Sequence, residues 1–178
     1  MSDSEYKFYW RNGKLLRFKV GPIVKDITKD FIKNSTPNKG RMEFAPDFDY
    51  ASHKSEIETA YWLMKNFGGN IYLVQENNNL EHKNISNPDY IWNGKWWELK
   101  GTKTLNGINK RLQKAIHQIN ANDECKAGGV ILDVTGSEEK NDEILRMISK
   151  RLNESSKTNI KVILKKDDDL ISVIEYKK

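Results

Sequence analysis

Cysteine is the scarcest chemistry-bearing residue in this 178-residue chain: Cys125 stands alone. One thiol excludes an intrachain disulfide framework and a cysteine-rich zinc site. Cys125 sits beside Lys126 near the start of an apolar stretch and reads as a bystander. Histidine is nearly as sparse, and His53, His82 and His117 fall at no metal-binding spacing. No apolar run approaches the ~20 residues of a membrane-spanning helix, so no span is expected. Met1 to Asp3 is polar and acidic, unlike the start of a secretory leader. A glycine-rich phosphate loop, a nucleophile elbow and a Cys–His pair are all missing, as are internal repeats and low-complexity tracts.

What is present suits one folded domain. Hydrophobic residues make up 37% and charged residues 31%, with a mean hydropathy of −0.77, which is enough apolar content for a core. Thirty Lys and Arg against 25 Asp and Glu give a net charge of +5 and a pI near 9.1. The mild excess suits a polyanion partner without requiring one.

Residues 1–50 read as an extension. Glu5 to Trp10 and Leu15 to Val20 flank Asn12-Gly13, a dipeptide that favours the positive-φ turn between antiparallel strands, so an N-terminal β-hairpin is predicted. Ile23 to Ile32 suits a short helix. Asn34 to Tyr50, with Pro37, Gly40 and Pro46, reads as an irregular connector. Residues 51–178 read as the main domain. Ile57, Ala60, Tyr61, Met64 and Phe67 recur at helical spacing, and Gly68-Gly69 ends that helix. Asn70 to Gln75 suits a buried strand, and Asn77 to Asn87 a loop. Pro88 to Trp92 and Lys95 to Lys100 are predicted strands joined at Asn93-Gly94. Ile108, Leu112, Ala115, Ile116 and Ile119 mark a second helix, and Gly128 to Val134 an apolar strand. A third helix runs from Glu138 to about Glu154 with Ser137 as its N-cap. Ile160 to Leu164 and Leu170 to Tyr176 close the chain as a strand pair. Helices interleaved with strands predict an α/β fold, a mixed sheet flanked by helices.

The Asn93-Gly94 hairpin carries the chemistry. A two-residue turn pairs Trp92 with Lys95, Ile91 with Trp96, Tyr90 with Trp97 and Asp89 with Glu98. Opposed residues share a sheet face about 5 Å apart, and Lys100, two residues beyond Glu98, shares it too. At that separation and an effective dielectric of ~20, two carboxylates repel by about 3 kcal/mol. A divalent cation with oxygen ligands offsets this, and Mg²⁺ typically takes one or two carboxylates and leaves its other positions to water and phosphate oxygens. Asp89, Glu98 and Lys100 thus suit metal-assisted phosphodiester hydrolysis. The plainer alternative makes Asp89 a turn residue and Glu98 a solvated neighbour of Lys100. A third acid is on offer from the first helix. Glu56 borders its packing face through Ala60, Leu63 and Phe67, while Glu58 lies on a more exposed side and closes a capping box with Ser55. Spacing does not choose between Glu56 as a site acid and Glu56 as a first-turn acid stabilised by the helix dipole. The second helix presents Lys103, Lys110, Arg111 and Lys114, with Gln118 beside them, as a candidate phosphate-backbone surface. Trp96 shares the acidic face and is the aromatic placed to stack on a base; Trp97 and Leu99 alternate into the core.

Pro88-Asp89 followed by Glu98-Leu99-Lys100, with Glu56 on the preceding helix, resembles the PD-(D/E)xK nuclease superfamily. The superfamily's core of helix, three strands, helix and strand matches residues 52–134. The strings HKSEIETAYWLMKNFGGNIYLV, NPDYIWNGKWWELKGTK, LQKAIHQINAN and GGVILDV more narrowly resemble the tRNA-nuclease C-terminal domain of contact-dependent growth-inhibition toxins and related phage and mobile-element proteins, over about residues 50–165. The resemblance implies a restriction-endonuclease-like core. It implies metal ligation by Asp89, Glu98, Glu56 and the Leu99 carbonyl, with Mg²⁺ as the expected ion and Mn²⁺ or Zn²⁺ as alternatives. Lys100 would orient the attacking water, and Lys114 and Gln118 match a helix that supports such sites. It further implies RNA, tRNA in particular, over DNA, and a cognate immunity protein. The lone cysteine fits a cytosolic site of action, while a toxin can equally be exported or delivered as part of another chain. The alternatives are a DNA endonuclease of a phage or mobile element on the same site, and a nucleic-acid-binding module that cleaves nothing.

Overall fold

The computed structural model describes residues 6–19, 23–75, 87–121 and 126–178. Strands β1 (Tyr6–Arg11) and β2 (Lys14–Lys19) form the expected hairpin in a sheet of their own. Its turn residues Asn12 and Gly13 hold φ of 52° and 73°, the mirror-image turn that matches strand twist. The remaining strands form one mixed eight-stranded sheet.

Residues 23–50 depart from the sequence reading. The predicted 23–32 helix divides into strand β3 (Ile23–Asp26) and a short helix α1 (Thr28–Lys33). Asp26 makes the break: its carboxylate accepts from the Thr28 amide at 2.9 Å and hydroxyl at 2.6 Å. The β3 backbone then pairs with the last strand of the chain, a tertiary contact that local periodicity does not encode. Within the predicted connector, Met42–Phe44 forms strand β4 at the opposite sheet edge.

From residue 54 onward the element order agrees with that read from the sequence. Helix α2 (Lys54–Asn66), strands β5 (Ile71–Leu73), β6 (Tyr90–Trp92) and β7 (Lys95–Gly101), helix α3 (Leu105–Asn120), strand β8 (Ala127–Asp133), helix α4 (Asn141–Ser155) and strands β9 (Ile160–Lys166) and β10 (Asp169–Lys177) follow one another. The sheet order is β3-β10-β9-β8-β7-β6-β5-β4. Strands β7, β8 and β9 run parallel. Two successive crossovers of one hand and direction set α3 and α4 on the same face, where Ile108, Leu112, Ile116, Ile144, Ile148 and Leu152 bury against Val130, Leu132, Val162 and Leu164. Helix α2 covers the other face with Ala60, Trp62 and Leu63 against Leu73, Tyr90, Trp97 and Ile131. Helix α4 begins three residues later than expected. Ser137 does not cap it; the Ser137 hydroxyl donates to the Lys103 carbonyl at 2.7 Å and accepts from the Glu139 amide at 3.2 Å. The polar stretch 77–86 and Cys125 lie outside the described residues.

Close packing at the sheet centre yields one stability prediction. A Cβ added at Gly129 would sit 1.9 Å from the Lys161 carbonyl oxygen, a backbone atom that cannot rotate away. Gly129→Ala is therefore expected to destabilise by about 3 kcal/mol, the upper end for overpacking, and to lower the thermal midpoint by roughly 6–12 °C. An unchanged melting curve by circular dichroism would contradict this packing.

Candidate active site

Asn93 and Gly94 adopt φ of 50° and 76°, and the ladder registers Trp92 with Lys95, Ile91 with Trp96 and Tyr90 with Trp97, as the two-residue turn predicts. Side chains anchor this turn: Asn93 Oδ1 accepts from the Asn70 amide at 2.8 Å, and Trp92 Nε1 donates to the Gly68 carbonyl at 2.9 Å.

The ladder stops at Tyr90, so Asp89 and Glu98 are not a strand pair. The Asp89 carbonyl accepts from the Val74 amide at 3.1 Å, and its carboxylate reaches one residue past Glu98 to accept the Leu99 amide at 2.6 Å. Convergence thus comes from a side-chain-to-backbone bond where the sequence implied strand opposition. Along β7, Trp97 and Leu99 pack toward the α2 side, which places Trp96, Glu98 and Lys100 on the α3 side by alternation. Lys100 Nζ lies 3.0 Å from Glu98 Oε2, with side chains only 16% and 8% exposed.

Burial and mutual repulsion dominate the electrostatics. Burial first, then the Glu98 charge, pushes the Asp89 carboxyl up to about 7, against the opposing pull of the Leu99 amide and Lys100; Glu56 adds to the rise. Burial also raises Glu98, offset by Lys100 and by Lys114 from α3. These carboxylates sit where neutralisation is favoured, by a proton or by a cation.

Glu56 enters from the first turn of α2. Its backbone carbonyl accepts the hydroxyl of buried Tyr90 at 2.6 Å, which ties α2 to β6 beside Asp89. Its carboxylate lies 3.5 Å from His53 Nδ1 and accepts from the Ser55 hydroxyl at 3.1 Å. The expected capping box does not form: Ser55 lies inside the helix, no side chain caps its N-terminus, and Glu58 faces solvent against Lys54 at 3.8 Å. His53 and the Tyr90 hydroxyl are the neighbours that sequence reasoning missed. His53 stands three residues before Glu56, which is helix-face spacing, but a search for metal-spacing pairs passes over it. Among the described residues, no group of three or more His, Cys, Asp or Glu is arranged to hold a metal ion; Glu56 reaches the Asp89–Glu98 pair through its charge on Asp89.

The basic residues divide. Lys110 and Arg111 are exposed on α3. Lys114, also exposed, acts electrostatically on Glu98, and half-buried Gln118 follows one turn on. Lys103 is exposed in the turn after β7, its aliphatic stem against Gly136. Trp96 is half-buried, with Lys126 Nζ 5.8 Å from its ring centre. No described helix is long and apolar enough to cross a membrane.

No protein-family model matches the chain, and no curated protein matches it. Among solved structures, the chain is similar to one in the CdiA-CT/CdiI toxin and immunity complex from Burkholderia pseudomallei, at 15% identity and a TM-score of 0.46, over 73% of this chain and 97% of that one.

Proposed function

We propose that the protein is a metal-dependent nuclease that hydrolyses phosphodiester bonds at Asp89, Glu98 and Lys100. The observation that carries this reading is the packing of two carboxyl groups, both shifted upward by burial, beside an ammonium group 3.0 Å from one of them. The donor set fits the ion: oxygen ligands without sulfur suit Mg²⁺ or Mn²⁺ better than Zn²⁺. Asp89 and Glu98 would hold it with the Leu99 carbonyl, and Glu56 would complete the acidic set from the α2 side. Such an ion, when bound, supplies Lewis-acid polarisation of the phosphoryl oxygen and neutralises developing charge.

The chain's own residues supply the rest. Lys100, fixed by Glu98, orients the attacking water and stabilises negative charge on the transferring phosphoryl group. The water oxygen forms a bond to phosphorus, the bond to the leaving oxygen breaks, and a phosphomonoester and a hydroxyl terminus result. Lys110, Arg111 and Lys114 bind the flanking backbone through charge. The resemblance of residues 50–165 favours RNA, tRNA in particular, and a toxin restrained by an immunity protein.

A cleavage panel of tRNA, single-stranded RNA and duplex DNA, run with Mg²⁺ and with EDTA, tests this. Cleavage of RNA that EDTA stops is the expected result. Cleavage confined to duplex DNA would reassign the substrate, and salt-sensitive binding with no cleavage of any substrate would leave only a binding module.

A further inference from the structure

The sheet face that carries Glu98 extends beyond the acidic residues. Glu43, Tyr72, Ile91 and Trp96 lie in one cross-strand row over β4, β5, β6 and β7. Ile71 and Leu73 turn toward the α2 core; Tyr72 between them alternates toward the groove it lines, while part of its side chain also packs against the edge of that core. The described helices on that side pack on β7, β8, β10 and β3. The row over β4, β5 and β6 instead borders an open groove of about 630 Å³, lined by Arg41, Glu43, Tyr72 and Ile91. Tyr72, Ile91 and Trp96 are each half-buried, an apolar strip presented at a surface.

This strip is continuous with the candidate active site. Trp96 and Glu98 are two residues apart on one strand, about 7 Å by strand geometry, and line one crevice with Pro88 and Lys126. Cations stand at both ends, Arg41 at the groove and Lys126 over the Trp96 ring, with Glu43 the single acid in the row. Flat aromatic surface between cations, one residue row from the carboxylates, matches unpaired nucleotides, whose bases stack while the phosphates remain outside. A duplex keeps its bases stacked on one another and offers no free ring face.

We infer that the row Tyr72–Ile91–Trp96 is a stacking platform for unpaired nucleotides next to the scissile phosphate, which makes single-stranded nucleic acid, such as an RNA loop or tail, the substrate class. The inference rests on the proposed nuclease reading for its position and is tested without cleavage. A fluorescently labelled single-stranded RNA and the same sequence as a duplex are titrated with the full chain in EDTA, followed by anisotropy. The wild type binds the single strand more tightly. Tyr72→Ala weakens single-strand binding about tenfold, leaves duplex binding unchanged, and Tyr72→Phe restores it. Equal affinity for both forms, or a folded Tyr72→Ala protein that binds the single strand like the wild type, as would follow if a protein partner occupied the face, overturns the inference. Should Tyr72→Ala not fold, photocrosslinking of 4-thiouridine RNA to the wild type decides: adducts on peptides carrying Tyr72 or Trp96 support the platform, and adducts confined to α3 overturn it. The two readings fail separately. Loss of the Tyr72 effect with Mg²⁺-dependent cleavage intact removes only the platform; absence of cleavage with the Tyr72 effect intact removes only the nuclease.

Discussion

Glu98→Gln is expected to reduce Mg²⁺-dependent cleavage on the order of a thousandfold while the protein stays folded. The substitution keeps shape and removes one charge from a side chain that is 8% exposed. Three consequences follow together. The ion would lose one of its anionic ligands, and metal-derived stabilisation of the transition state is worth several kcal/mol, at about 1.4 kcal/mol per tenfold in rate. Lys100 loses the charge that holds its Nζ at 3.0 Å. The remaining carboxylate, Asp89, is relieved of its largest charge repulsion and loses part of its upward shift. The first two lower the rate; relief of the carboxylate repulsion offsets part of the cost of leaving Lys100 without its buried partner, so activity should fall far more than stability. Single-turnover rates beside far-ultraviolet circular dichroism make the measurement. Glu58→Gln is the matched control, since Glu58 is 67% exposed against Lys54, and should cleave like the wild type. Full activity in Glu98→Gln would remove Glu98 from the chemistry and the proposed mechanism with it.

The parts of this architecture legible in sequence are those with local causes. Asn93-Gly94 specifies a turn whose register follows from its length, which sets Trp96, Glu98 and Lys100 on one face. The stripe from Ile108 to Ile119 is sustained for over three turns, and α3 followed. Residues 23–26 and 42–44 failed for the opposite reason. Each is a strand of three or four residues whose partners lie far along the chain, Lys177 for Ile23 and Ile71 for Met42. Nothing within either segment distinguishes it from a turn or a short helix. Asp89 shows a subtler gap. Pairing arithmetic set it opposite Glu98, but the ladder ends one residue early and the Leu99 amide captures its carboxylate. Hairpin length predicted the neighbourhood; the bond that fixes the carboxylate depends on where the strand frays. The His53–Glu56 contact follows i,i+3 spacing, but a lone imidazole beside a first-turn acid gives no separate signal in sequence.

Asp89→Asn is expected to stabilise the metal-free protein above neutral pH and to do little near pH 4. The Asp89 carboxyl rises from its ordinary 3.8 to about 7 in the fold, so the folded state holds the proton more tightly than the unfolded chain. Stability from protonated Asp89 is then fully present below pH 3.8 and is lost as pH climbs through 7. At 1.36 kcal/mol for each unit, the ceiling is about 4 kcal/mol. Asparagine keeps the acceptor for the Leu99 amide and carries no charge, so its variant should lack this decline. Glu98 shifts in the same direction through burial, and its own decline is common to both proteins. Asp26 and Asp49 are shifted downward and act at the acid end, below the window in question. Urea unfolding in EDTA at pH 4.5 and pH 8 therefore isolates the site: the variant's advantage should be a few kcal/mol at pH 8 and small at pH 4.5. Adding Mg²⁺ should close much of the gap at pH 8, because an ion present at a hundredfold its dissociation constant stabilises the wild type by about 2.7 kcal/mol and the variant by less. A variant no more stable than wild type at pH 8 in EDTA would mean that Asp89 is not held against its charge. The pressure for a cation at this hairpin, on which the nuclease reading depends, would then be gone.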